Sequence, residues 1–167
     1  MTDTASDSLW KYTSLADLKS WLVDVFGNSD DLAAVSQEIY GTEALLCYLS
    51  TLTNSSYMMD NIIKPVTLLN RLMPDTMAEA LPDILRSQVF AGMTTRMEDH
   101  LPEIPKLISQ GYAALFITGV NKALLIDVKA LEQRSITEPT SQNVIQGPKD
   151  GFTESAATNI SLIRRRL

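Results

Sequence analysis

The chain has 167 residues, 45% hydrophobic and 20% charged, with a formal net charge of −6, which suits one well-filled core rather than a disordered tail. The charge is uneven: residues 1–130 hold 9 Lys+Arg and 16 Asp+Glu, residues 131–167 hold 5 and 4. An acidic body argues against a nucleic-acid platform, because phosphate binding needs clustered Lys and Arg.

Ser14 is the first helix signal, with Asp17 three residues on as its capping partner. Leu15, Leu18, Leu22 and Val25 follow at helical spacing, Trp21 lies beside that stripe, and Phe26-Gly27 closes the helix. Residues 31–40 fit two readings. Ser29-Asp-Asp looks like a helix N-terminus with Leu32, Val35 and Ile39 spaced for it. The second reading, a strand that Gly41-Thr-Glu43 turns into Ala44-Leu-Leu-Cys-Tyr-Leu49, is what the resemblance of residues 26–32 given below implies. The hairpin is the preferred reading and the helix the alternative.

Residues 52–56 read as a loop and cap before a helix over 57–63, which Pro65 kinks or restarts as 66–73. Residues 74–110 are mostly helical in pattern and punctuated by Pro74, Pro82, Pro102 and Pro105. Ala113-Leu-Phe-Ile-Thr118 and Lys122-Ala-Leu-Leu-Ile-Asp127 flank Gly119-Val-Asn121, a hairpin signal. Their apolar runs are nearly continuous, so both faces of the sheet should be covered. Residues 132–150 are polar, with Pro139, Gly147 and Pro148, and read as an extended connector. Residues 152–167 make an amphipathic helix with Ala156, Ile160, Ile163 and Leu167 on one face.

The expected fold is α/β (α+β): a small, largely antiparallel sheet of about four strands (roughly 32–39, 44–50, 112–118 and 122–128) wrapped by several helices. The expected organisation is an N-terminal subdomain (1–130), a connector (131–151) and a C-terminal helix (152–167), which the resemblance given below implies is the first helix of a second, truncated subdomain.

Catalytic chemistry finds little support. His100 is the only histidine, follows Glu98-Asp99 and reads as a surface loop residue, since no nucleophile or orienting group is spaced for a dyad. Cys47 is the only cysteine, which rules out an internal disulfide; inside an apolar run it reads as a small buried hydrophobe. Gly147-Pro-Lys-Asp-Gly151 fails the spacing of a phosphate loop and reads as a turn that positions Phe152. The acidic residues Asp30, Asp31, Glu98, Asp99 and Glu103 form no metal pattern and read as a solvated face. The seven methionines, Met58 and Met59 among them, read as helix-core filler. Trp10 and Trp21 could stack on a sugar or aromatic ligand, with core anchoring the default for Trp21. Arg164-Arg165-Arg166 reads as a solvated helix end favoured by the macrodipole, with an anionic surface the alternative. No run approaches the ~18 apolar residues of a membrane span, and the polar, acidic N-terminus is unlike a secretory signal.

The C-terminal block runs Glu138-Pro139, then Gly147-Pro148-Lys-Asp-Gly151-Phe152-Thr-Glu154-Ser, then Thr-Asn159-Ile-Ser-Leu-Ile-Arg164-Arg-Arg166. It resembles the signature of the A subunit of bacterial spore germinant receptors, the GerA family of nutrient-responsive membrane complexes. Residues 26–32 and Asp60-Asn-Ile-Ile-Lys-Pro65 are similar to family stretches in the same order, and the first is associated there with a strand. One departure is Gln146, where the family pattern has a basic residue, which weakens an anion-binding role for that position.

The resemblance implies a non-enzymatic, cofactor-free part of a receptor whose membrane helices lie further along, making this chain an N-terminal excerpt. It implies B and C receptor subunits and the rest of the A subunit as partners, at the spore inner membrane on the cytoplasmic, spore-core side. The domain would then act in one of two ways: in coupling and assembly, or in direct binding of an amino acid or sugar. Its motif residues, Glu138 to Arg166, would serve structure or docking. A small cytosolic enzyme is the remote alternative.

Overall fold

The computed structural model describes residues 14–69 and 78–129. Helix α1 (Leu15–Val25) precedes the hairpin β1 (Leu32–Ile39) and β2 (Thr42–Leu49); a helical run over residues 55–69 comes next. A second helical stretch over residues 78–89 leads to β3 (Thr95–Glu98), helix α5 (Glu103–Ser109) and the hairpin β4 (Tyr112–Ile117) and β5 (Ala123–Asp127). Within the two helical stretches the α-helical pieces are α2 (Ser55–Met58), α3 (Lys64–Leu69) and α4 (Leu81–Ile84). The five strands make one antiparallel sheet in the order β1-β2-β4-β5-β3.

The sheet is the middle of three layers, and strict alternation sorts its side chains. Ala44, Leu46, Ala113, Leu115, Ile117, Leu124 and Ile126 face one core, closed by Met58, Ile62 and Val66 from residues 55–69 and Leu81 and Leu85 from the second stretch. Leu45, Cys47, Leu49, Ala114, Phe116, Ala123 and Leu125 face the other, closed by Leu18 and Leu22 of α1 and Ile104, Leu107 and Ile108 of α5. Each central strand therefore needs apolar residues at consecutive positions, which is why its apolar run is continuous.

The hairpin reading of residues 31–49 holds. Its pairing runs without interruption from Leu32↔Leu49 to Ile39↔Thr42. The turn is tighter than Gly41-Thr-Glu43: Tyr40 (φ 50) and Gly41 (φ 75) make a two-residue connection with both central residues left-handed, the geometry that matches strand twist. The 113–127 hairpin also forms, with a loop of residues 118–122 rather than three residues. Ser14 caps α1 by accepting the Asp17 N–H, and Asn54 accepts the Tyr57 N–H at the start of α2. Val25, expected on the apolar stripe of α1, is exposed instead.

One strand was hidden in the region expected to be mostly helical. β3 is four residues long and pairs with β5 through Thr95↔Ile126 to Glu98↔Ala123. A run this short carries no decisive periodicity; it is extended because β5 offers it an open ladder edge. Pro65 does not break the run over residues 55–69. A π-helical turn, Met59–Ile63, immediately precedes Lys64 and Pro65; proline has no N–H to donate, and the wider turn accommodates the missing bond.

Candidate functional site

The motif residues expected to matter in docking (Glu138, Pro139, Gly147, Pro148, Gly151, Phe152, Glu154, Asn159, Arg164 and Arg166) lie outside the described residues, as do the expected connector, C-terminal helix and Trp10. The other candidates are placed. His100 is exposed. Cys47 is buried between β1 and β4, and burial pushes its thiol up to about 12, with nearby Lys19 pulling weakly the other way. A thiol held neutral this firmly is no nucleophile. Trp21 packs, partly buried, against the α1-side core. Among the described residues, no three His, Cys, Asp or Glu side chains gather as a metal site would require.

The acidic residues are not all a solvated face. Glu98 is 7% exposed; one carboxylate oxygen accepts the His100 backbone N–H at 3.0 Å and the other meets the Arg96 guanidinium. That carboxylate closes the turn after β3. Asp31 accepts hydrogen bonds from the Ser29 and Thr51 hydroxyls, tying the start of β1 to the end of β2. Both roles are structural.

The feature that stands apart is the outer side of residues 55–69. The doublets Met58-Met59 and Ile62-Ile63 give this helix two apolar stripes. Met58, Ile62 and Val66 enter the core. Met59 is 45% exposed and Leu68 59% exposed, and with Tyr57 they are three of the four large hydrophobics left exposed among the described residues. The reading of both methionines as core filler therefore holds for Met58 and fails for Met59.

Together with Ile63, Pro65 and Thr67, Met59 and Leu68 line an open apolar groove of about 610 Å³. Its charged edge is Asp60 and Lys64, ion-paired at 2.6 Å, an exposed i,i+4 pair that contributes only tenths of a kcal/mol, about 0.3–0.5. The sequence signal for the groove was the doubling itself, since one buried stripe needs only every third or fourth residue to be apolar. No helix among the described residues is long and apolar enough to cross a membrane.

The molecule is thus a three-layer α+β domain with an apolar strip on one outer helix. Its fold matches the N-terminal domain of the A subunit of the Bacillus megaterium spore germinant receptor GerK3 with a TM-score of 0.66, over 92% of this chain and 54% of that one, at 16% identity. Residues 20–167 match the family described as Bacillus/Clostridium GerA spore germination protein, and the chain belongs to that family. Among curated relatives, it is 32% identical to spore germination protein B1 of Bacillus subtilis over 127 residues, 74% of this chain and 25% of that protein. It is 33% identical to spore germination protein KA of the same organism, over 71% of this chain and 21% of that one. The chain therefore spans about a quarter of the length of these relatives. The block at residues 138–166 falls within the matched family region, as does the groove segment 60–65.

Proposed function

We propose that this chain is the N-terminal, extramembrane part of a spore germinant receptor A subunit and that it acts by coupling and assembly, not by catalysis. The observation that carries the reading is the open apolar groove over Met59, Ile63 and Leu68, on a helical run whose other face is already committed to the core. A helix apolar on two sides is expected to be covered on both. Side chains of this kind bury well against another protein element and offer little to orient a polar nutrient. In this reading the partners are the remainder of the A subunit and the B and C subunits at the spore inner membrane, with the domain on the spore-core side.

The test is a receptor whose A subunit carries Met59→Asp and Leu68→Asp. Spores should lose most of the nutrient response, while the isolated chain keeps its melting temperature because both side chains sit outside the core. An undiminished germination response would overturn the coupling role of this surface.

A second reading is supported by the groove's size, about 610 Å³, which is that of a small-molecule site. There an amino acid would exchange its ammonium and carboxylate for the Asp60–Lys64 pair. NMR titration of the labelled chain with amino acids, sugars and nucleosides separates the two. Coupling expects no saturable shifts, whereas saturable shifts gathered on Met59, Ile63 and Leu68 would make this a nutrient pocket.

A further inference from the structure

We propose that the outer edge of β1 is a docking surface that takes an extended, basic segment of a partner protein as a further strand of the sheet. The inference rests on the receptor setting proposed above but on a different surface, since none of the residues lining the groove belongs to β1.

β1 and β3 end the sheet, and the two edges are built differently. β3 has four residues and carries Arg96 and Glu98, the short, charged form that blunts an edge. β1 has eight residues, pairs with β2 at every position without a bulge, and holds no proline, glycine or lysine. Nothing in its sequence discourages a further strand.

The hairpin fixes which groups the edge presents. Tyr40 and Gly41 form a two-residue turn, so Ile39 and Thr42 exchange hydrogen bonds, and every second residue back along β1 does the same with β2. The Ser50 N–H donates to the Asp31 carbonyl at 2.8 Å, as this phase requires. Val35 and Gln37 therefore direct their backbone groups at β2, whereas Ala34 and Ser36 turn N–H and C=O away from it. Ala33 and Ala34 are small, so a new strand can approach to the usual ~4.8 Å. Half-buried Leu32 and Val35 offer it apolar contact, one on each face of the sheet.

Charge selects the occupant. Between Lys19 and Lys64 the chain has no Lys, Arg or His, but it has Asp24, Asp30, Asp31, Glu38, Glu43 and Asp60. Lys64 is itself paired with Asp60. Glu38 lies directly opposite Glu43 in the register, a like-charge arrangement that costs stability in a sheet. A second copy suits this edge poorly, because antiparallel β1–β1 pairing sets Asp31 of one chain near Glu38 of the other. A strand with Lys or Arg near both ends gains at Asp30 and again beside Glu38 and Glu43. Main-chain bonds to Ala34 and Ser36 supply affinity, and the acidic ends select the partner.

Hydrogen exchange reads the edge directly. In the isolated 1–167 chain the amides of Ala34 and Ser36 should exchange fast while those of Val35 and Gln37 are slow. In membranes holding the assembled receptor, the two fast positions should slow at least about fivefold, the scale of one net hydrogen bond. Ser36→Pro removes an outward N–H without touching the β2 ladder. The isolated variant should stay folded, while the receptor carrying it loses protection at Ala34 and most of its nutrient response. Glu38→Lys with Glu43→Lys leaves the backbone intact and should lose both in the same way. Slow exchange at Ala34 and Ser36 in the isolated chain would overturn the proposal. It would assign the edge to this chain's own residues if independent of concentration, and to a second copy if it grows with concentration. Fast exchange at both positions in the assembled receptor, or an undiminished response in both variants, would overturn it too. The Met59→Asp, Leu68→Asp spores report the groove separately, so the two surfaces stand or fail independently.

Discussion

Cys47 sits at the centre of the sheet, opposite Ala34 of β1 and Ala114 of β4, and burial raises its thiol from an ordinary 9.0 to about 12. In the unfolded chain the thiol ionises near 9, whereas in the fold it keeps its proton. Between those values the unfolded state binds fewer protons, so stability falls as pH rises. The contribution is fully present below pH 9 and is lost progressively toward pH 12. Wild type should therefore lose about 1 kcal/mol more than Cys47→Ala between about pH 8 and pH 10, measured by urea denaturation; parallel losses would show that the thiol is accessible to solvent.

Gly111 is the other residue whose chemistry is dictated by position. Its φ is 92°, and a Cβ built there would lie 2.6 Å from Lys129 Cγ. The lysine can move, but the backbone cannot become comfortable for an L side chain. Gly111→Ala should cost about 2 kcal/mol, chiefly from backbone strain at the entry to β4. A loss under about 0.5 kcal/mol, the scale of an ordinary surface substitution, would mean that this turn relaxes freely.

At the scale of elements, the helix of residues 55–69 illustrates how one sequence can serve two surfaces. Ile62 is fully buried and Leu68 largely exposed, though both are large aliphatic residues on the same run. Ile62→Ala should cost about 3 kcal/mol, as a lost core contact plus a residual cavity. Leu68→Ala should cost less than about 0.5 kcal/mol, typical of a surface site. The two values come from the same denaturation experiment, and equal costs would contradict the assignment of an inner and an outer stripe. β3 shows the complementary case: it is short, and it places Arg96 and Glu98 at a sheet edge, where charge discourages pairing with another chain.

At the scale of the whole molecule, docking of the C-terminal block is the expectation that Gly151 and Phe152 test. Gly151 and Phe152 stand where a turn signal gives way to an amphipathic pattern. Phe152→Ala in the 1–167 chain should lower the melting temperature by about 3 °C, the shift expected for roughly 1 kcal/mol in a chain of this size. Any change in nutrient affinity should appear only alongside that loss. An unchanged melting temperature with selectively lost nutrient binding would assign these residues to a ligand site instead of to docking.

Much of this protein was decided locally. Ser14 with Asp17, Asn54 before Tyr57, and the apolar runs of β2, β4 and β5 state their structure in a few adjacent residues, because caps and two-sided strands depend on near neighbours and on burial of whole runs. The motif sequence from Glu138 to Arg166 likewise carried the family resemblance by itself. Tertiary structure decided what depends on contacts remote in sequence. It settled residues 32–39 as a strand, because β2 supplied the ladder. It made Thr95–Glu98 the fifth strand, because the edge of β5 was open. It buried Glu98 against Arg96 and the His100 amide. And it separated Met58 from Met59, turning one apolar doublet into a core contact and an exposed groove, since only the position of the sheet determines which side of a helix is inside.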